Sequence, residues 1–466
     1  MNPSYDFDLL CIGSGPAGQR AAIQAAKLGK RAAVVEKRRV VGGVCVDSGT
    51  IPSKTFREAV LAFGQQAELF RSNHDFAAGL RPTVEQLLMR VNHVMQREAQ
   101  VVEHQLRRND VTMFHGEASF LDPHAICITA DRESHRVTAA NILIAVGTVP
   151  APPPGLSPDG EVLVTSDGLL DLKRLPKTLV VVGAGVIGLE YASMFAVLGI
   201  EVTLVDTRTR PLEFLDTEIV DELIHQMRKQ NVTFRLGETV ERVEMVNGPR
   251  KRAVIFLESG KRLVSELVLF SVGRLGATAS LNLEAAGLKA DERGRLAVDA
   301  QFRTAVPHIF AAGDVIGFPS LAATSAEQGR LAACYAFGVA TRPMVAHFPI
   351  GIYSIPEISM VGATEQQLTA QRVPYEIGIA RYREIARGQI LGDDSGLLKM
   401  LFHRETTKLL GVHIIGTSAT ELVHIGQAVL GLHGGLEYFI TTVFNYPTMA
   451  ECYKVAALDA FNKLSQ

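Results

Sequence analysis

The sequence predicts an α/β protein: two parallel-sheet units of one design, each opening on a glycine-rich turn, followed by a C-terminal α+β segment. Three observations carry this. Two segments repeat one another, Phe7-Asp-Leu-Leu-Cys-Ile-Gly-Ser-Gly-Pro-Ala-Gly18 and Thr178-Leu-Val-Val-Val-Gly-Ala-Gly-Val-Ile-Gly188. Each is an apolar strand running into Gly-x-Gly-x-x-Gly and then a helical pattern. A second strand follows each helix, over residues 31–36 and 201–206, and each ends in an acid 23 residues after the first glycine of its turn. Beyond a proline-containing break at 341–349, apolar stretches at 398–402 and 409–415 predict an antiparallel sheet with helices.

Proline marks the boundaries. The run Pro150-Ala-Pro-Pro-Pro-Gly155 predicts a linker, because proline lacks an amide hydrogen and restricts its neighbour. The expected division is 1–150 for the first part of the first domain, 151–271 for the second domain, 272–344 for the rest of the first, and 345–466 for the C-terminal domain. Residues 54–115 read as polar crossover helices. The apolar run over 179–200 has the length of a membrane span, but Glu190 and its glycines favour a strand followed by a buried helix.

With 466 residues, 47% of them apolar and 21% charged, the chain is long enough for about three folded domains and too ordinary in composition for a disordered or fibrous protein. A net charge of −2 without a basic block argues against nucleic acid or an anionic membrane as partner. The five cysteines form no CxxC pair, and no HExxH or Cys/His set suggests a metal, so a reducing compartment is expected. The first strand begins at Phe7, which leaves no room for a signal peptide, and a cytoplasmic location follows as an expectation.

The turns carry the chemistry. Gly13 and Gly183 permit the tight turn, Gly15 and Gly185 let the backbone approach a pyrophosphate, and Gly18 and Gly188 allow close helix-to-strand packing. Phosphates then meet amide hydrogens at the positive end of a helix. Glu36 and Asp206 are placed to accept hydrogen bonds from a ribose hydroxyl. The units read as two Rossmann-like dinucleotide-binding domains. A protein that holds two adenine dinucleotides at once most economically passes a hydride between them.

With these motifs the chain resembles the flavoprotein pyridine nucleotide-disulfide oxidoreductases over essentially its whole length. The resemblance includes the Ile142-Leu-Ile-Ala-Val-Gly147 segment and the stretch from Thr304 to Ile-Phe-Ala-Ala-Gly-Asp314. It implies FAD held tightly on the first unit, one per subunit, with Asp314 on the ribityl chain, Gly147 in the same site, and a helix near Ala322 aimed at the flavin. NAD and NADP are implied as substrates on the second unit. The resemblance further implies a homodimer, or a higher assembly, through residues beyond about 345. Lys54 falls beside the flavin N5 and Glu190 at its partner position, so the two are expected to form a desolvated ion pair flanking hydride transfer. Val186 occupies the place of a gating tyrosine in some relatives.

Two departures stand out. The redox segment Gly42-Gly-Val-Cys-Val-Asp-Ser-Gly-Thr-Ile-Pro-Ser-Lys54 has Thr50 where disulfide enzymes carry a second cysteine, and Tyr446-Pro-Thr-Met-Ala-Glu451 has tyrosine in place of their histidine. Both halves of the disulfide machinery are missing. Cys45 then reads as inherited packing, and Glu451 as either a dimer contact or a solvated carboxylate. The stretch Asp206-Thr-Arg208-Thr-Arg210 offers an acid for NAD and cations for the 2'-phosphate of NADP. A carboxylate about 4 Å from a phosphate costs roughly 4 kcal/mol, and one guanidinium returns a similar amount, so acceptance of both coenzymes is expected unless these arginines are only a solvated loop.

This pattern is similar to the soluble FAD-dependent pyridine nucleotide transhydrogenases. It implies the reaction NADPH + NAD⁺ ⇌ NADP⁺ + NADH by a ping-pong route. The alternatives are an NAD(P)H-dependent quinone or dye reductase of the same fold, a disulfide reductase with relocated thiols, or an FAD- and NAD-binding protein without turnover.

Overall fold

Parallel strands organise both dinucleotide units in the computed structural model, which describes residues 5–69, 82–130, 133–153, 155–248 and 250–465. In the first unit Phe7–Ile12 is central, flanked in parallel by Ala32–Glu36 and Glu133–Ile144. Thr112–His115 lies outside Ala32–Glu36, and Ile309–Ala311 returns from much later in the chain to pair with the C-terminal end of Glu133–Ile144. Glu117–Asp122 and Ala125–Ala130 extend the sheet antiparallel. Ala32–Glu36 is buried at every position, as a parallel strand covered on both faces must be. Across one face, helices Pro16–Lys27 and Ala322–Ala336 pack with their backbones nearly touching: a Cβ added at Gly329 would fall 2.0 Å from the Ala17 carbonyl oxygen.

The second unit repeats the plan. Thr178–Val182 is flanked in parallel by Glu201–Asp206 and Leu267–Phe270, with Val232–Leu236 and Leu163–Thr165 at the edges. Helix Val186–Val197 joins Thr178–Val182 to Glu201–Asp206, and every residue from 188 to 196 is buried. A helix apolar on all sides is a helix surrounded by protein, which explains the membrane-length apolar run. Among the described residues no helix is long and apolar enough to cross a membrane.

The chain enters and leaves this unit side by side, through an antiparallel ladder of Thr148–Pro150 with Arg274–Gly276. Pro150 is therefore the end of a strand and not linker. A two-stranded ladder consists of edges only, so the missing amide hydrogen costs no central pairing. Pro154, in the same expected linker, lies outside the described residues, as do residues 70–81 of the expected crossover segment. The described parts of that segment include the helices Thr50–Leu69 and Val84–Arg107, but its end, Thr112–His115, is an edge strand of the first sheet and not helix.

At the C-terminus five antiparallel strands run in the order Ile350–Ile352, Ile358–Gly362, Leu409–Ile415, Leu397–His403, Tyr375–Arg381. Helices Ala419–Gly431 and Glu451–Leu464 pack on them. One apolar core passes through all three regions: Val60, Leu189, Phe195, Ile352 and Ile358 belong to a single cluster. The candidate site lies beside it.

Candidate functional site

In the first turn the three glycines do different work. A Cβ at Gly13 would lie 2.4 Å from the Ala145 carbonyl oxygen, and one at Gly18 only 1.9 Å from that of Gly13. Gly13 also has φ +105°, which disfavours any L side chain. A Cβ at Gly15 would meet nothing within 4 Å. The fold needs the first and third glycines, whereas the second leaves space on the cleft side. Helix Pro16–Lys27 starts at Gly15 with no side-chain cap, so its first amide hydrogens are free for an acceptor in the cleft.

That cleft, about 1090 Å³, is lined by Gly13, Gly15, Glu36, Gly147, Asp314 and Ala322 among others. Gly18 packs behind the turn. Ala322 begins a second helix without a side-chain cap. Burial pushes the Asp314 carboxyl up, against the opposing pull of Arg274 and the hydroxyls of Thr148 and Ser325. Glu36 accepts from the Ser14 amide at 3.0 Å, the Ser14 hydroxyl at 2.5 Å and the Arg38 amide at 2.8 Å. An uncapped helix start, an open glycine and a strand-end carboxylate together fit a dinucleotide such as FAD.

The second turn repeats the logic. A Cβ at Gly183 would fall 2.5 Å from the Ser271 carbonyl oxygen, one at Gly188 2.0 Å from that of Gly183, and one at Gly185 would meet nothing within 4 Å. Gly183, Gly185, Asp206 and Arg208 line a cleft of about 830 Å³. Asp206 is gripped by Arg208 through Nε at 2.9 Å and Nη2 at 2.7 Å, and the guanidinium and surrounding amides hold its carboxyl below the usual range despite burial. Arg210 does not line this cleft. Its guanidinium turns to helix Thr217–Lys229, donating to Asp221 at 2.7 Å and to the Thr217 carbonyl at 2.9 Å. Val186 is partly buried and packs against the shared core. Glu238, which sequence reasoning missed, lines the cleft and is held by Lys261 and Ser259.

Lys54 and Glu190, 136 residues apart, meet between the units. Lys54 Nζ lies 3.0 Å from Oε1 and 2.8 Å from Oε2 of a carboxylate whose side chain is 4% exposed. Lys54 sits one helical turn beyond Thr50, a residue of the first cleft, and Glu190 one turn beyond Val186 at the second turn. The pair thus bridges the helices that leave the two clefts.

The sequence profile of the pyridine nucleotide-disulphide oxidoreductases matches residues 7–329, and that of their dimerisation domain matches 348–457. The chain belongs to this family. The soluble pyridine nucleotide transhydrogenase of Mycobacterium bovis (strain BCG / Pasteur 1173P2) is 54% identical over 463 residues, 98% of each chain. That of Colwellia psychrerythraea is 43% identical over 471 residues, all of each chain. Among solved structures, the HOCl-induced flavoprotein disulfide reductase RclA from Escherichia coli superposes with a TM-score of 0.87 at 27% identity, covering 97% of this chain and 99% of its own.

For a pyridine nucleotide-disulphide oxidoreductase the sulfur chemistry is sparse. All five cysteines are free, and Cys45 is the one on the first cleft. Burial pushes its thiol up, with the Thr50 hydroxyl bonding it in partial opposition, so the thiolate that a nucleophile requires is disfavoured. Tyr446 is exposed, and one oxygen of Glu451 is buried with no hydrogen-bond partner.

Proposed function

We propose that the chain transfers hydride between NADPH and NAD⁺, giving NADP⁺ and NADH, with FAD bound tightly in the first cleft and the two nicotinamide coenzymes alternating in the second. FAD, held by the residues of the first cleft, would supply the two-electron chemistry that links the two nicotinamides. One observation carries this reading: both dinucleotide cradles are complete, while the only thiol on the first cleft has a threonine beside it. The transhydrogenase names of the mycobacterial and Colwellia relatives support it.

In this reading Gly13, Gly15, Gly18, Glu36, Gly147, Asp314 and Ala322 hold FAD. Gly183, Gly185, Gly188, Asp206 and Arg208 hold either nicotinamide coenzyme, Val186 leaves the pocket mouth ungated, and Arg210 stays with Asp221. Lys54 and Glu190 flank the reacting rings as an ion pair whose carboxylate is buried, and the ammonium is the group presented to the reaction. Residues 1–150 with 272–344 form the FAD domain, 151–271 the nicotinamide domain, and 345–466 the interface of a cytoplasmic homodimer. Neither metal, membrane nor nucleic acid has a part.

Anaerobic mixing with NADPH and then the thio-analogue of NAD⁺ tests this. The flavin absorbance is expected to bleach and recover, with one equivalent of reduced analogue formed. Recovery only with quinones, or only with a disulfide, would replace this reading by the corresponding reductase. An absence of bleaching would leave a binding protein.

A further inference from the structure

Residues 353–357 join the first two strands of the C-terminal sheet and are clamped between helices of both dinucleotide units. From one side, helix Val186–Val197 takes two of the loop's amide hydrogens: Tyr353 donates to Glu190 Oε1 at 2.8 Å and Ile355 donates to Ser193 Oγ at 3.0 Å. From the other, Arg57 of helix Thr50–Leu69 donates to the Ser354 carbonyl at 3.2 Å and pairs with Glu357 at 3.1 Å. Arg57 and Glu357 are both buried. Lys54 is three residues before Arg57, on the same helix face. Its Nζ lies 4.9 Å from the centroid of the Tyr353 ring.

Tyr353 therefore touches both partners of the pair, the carboxylate through its backbone and the ammonium through its ring. A lysine side chain has four rotatable bonds, and the Glu190 carboxylate with a long 3.3 Å bond to the adjacent Ser53 hydroxyl leaves it room to swing. An aromatic face attracts a cation from a second direction and removes that freedom. We propose that Tyr353 is a positioning residue for the Lys54–Glu190 pair, by which the dimerisation domain aims the ammonium at the site of hydride transfer. This rests on the role given above to that pair.

The test uses the purified holoenzyme and the variants Y353F, Y353L, K54M and the double variant Y353L/K54M. Y353F keeps the ring and is expected to stay within about twofold of the parent. Y353L is expected to slow flavin bleaching by NADPH and to lower kcat by about 5- to 20-fold. The KM for NADPH should stay within about twofold, and the flavin midpoint potential should become more negative as the ammonium loses its aim. In the K54M background the leucine substitution should add less than about twofold. Parent-like bleaching and potential in Y353L, or an equal loss with and without Lys54, would overturn the proposal. If K54M itself bleaches as fast as the parent, the role of the pair falls, and the proposal with it. Should Y353L not fold, Y353M carries the same comparison; failure of both to retain FAD while Y353F retains it would make Tyr353 a packing residue and overturn the proposal.

Discussion

Glu36 and Asp206 end equivalent strands in the two units, and each accepts the amide hydrogen of the residue after the first glycine and that of the residue two positions beyond itself. Their remaining partners differ. Glu36 receives only the neutral Ser14 hydroxyl, while the Arg38 side chain goes to Asp47. The same serine hydroxyl accepts from the Gly42 amide at 2.8 Å, tying the following segment across the first turn. Asp206 instead holds the Arg208 guanidinium, whose side chain is 44% exposed. One frame thus has a roofed turn with neutral donors, suited to a ligand that stays. The other holds a partly exposed cation, which in the proposed reading turns to a phosphate and back as ligands exchange.

Glycine substitutions should expose the shared frame first. Gly18→Ala and Gly188→Ala are expected to cost about 3 kcal/mol of stability, because each new Cβ meets a backbone oxygen at 1.9 or 2.0 Å. Gly15→Ala and Gly185→Ala should leave the thermal stability of the ligand-free chain within about 0.5 kcal/mol, since no protein atom opposes the added carbon. Their ligand effects should then separate. The purified Gly15→Ala variant should be depleted of FAD, and Gly185→Ala should keep it with a raised KM for both coenzymes. Flavin loss in the latter would break the division between retention and exchange.

A smaller effect sharpens the exchange side. Arg208→Ala should raise the KM for NADPH roughly 10- to 100-fold, the worth of a charge-assisted hydrogen bond, and that for NADH by less than about threefold. Arg210→Ala should change neither, because Asp221 already occupies that guanidinium. Equal losses for the two coenzymes on removing Arg208 would show that the Asp206–Arg208 pair is a structural clasp alone.

The smallest difference is in pH dependence. In the first unit, burial pulls His308, stacked on His124 at 3.8 Å between centroids, below its ordinary value. Its neutral form is favoured by folding, so its contribution is complete above about pH 6.5 and is lost as the unfolded chain takes up protons below that. Asp206, held down in the fold, contributes fully above about pH 3.9 and loses that contribution only at lower pH. Amide protection factors in the first sheet, taken relative to the intrinsic exchange rate at each pH, should therefore fall on acidification before those in the second. Simultaneous loss would contradict this.

What could be read from residues alone was what backbone geometry dictates. A turn needing φ above +100° at Gly13 and Gly183, whose carbonyl oxygens lie within about 2 Å of where a Cβ of Gly18 or Gly188 would stand, permits one residue type at fixed spacing. The acids at the strand ends follow the same register. The meeting of Lys54 with Glu190 was legible only through family resemblance, because docking of two helices sets it and no local pattern does. Tyr353 was unread for another reason: its backbone amide would serve with any residue there except proline. The pairing of Arg210 with Asp221 was not legible, because Asp221 lies on a helix whose approach no spacing reveals. For Lys399 a signal did exist, since a lysine within the apolar run Leu397–His403 must be paired. It is fully buried, with Asp216 at 3.0 Å, Glu218 at 3.1 Å and Glu365 at 2.6 Å, joining the second unit to the C-terminal sheet.

The pairing of Ile309–Ala311 with Glu133–Ile144 closes the first sheet only after the whole second unit has been traversed. Synthesis runs from the N-terminus, so the strand that completes the first unit emerges after the second unit's own strands are available. The inserted unit is thus free to fold ahead of its host, and capture of the flavin becomes a late event in maturation. Ribosome-stalled chains ending near residue 300 should show a protease-resistant second unit and no retained flavin.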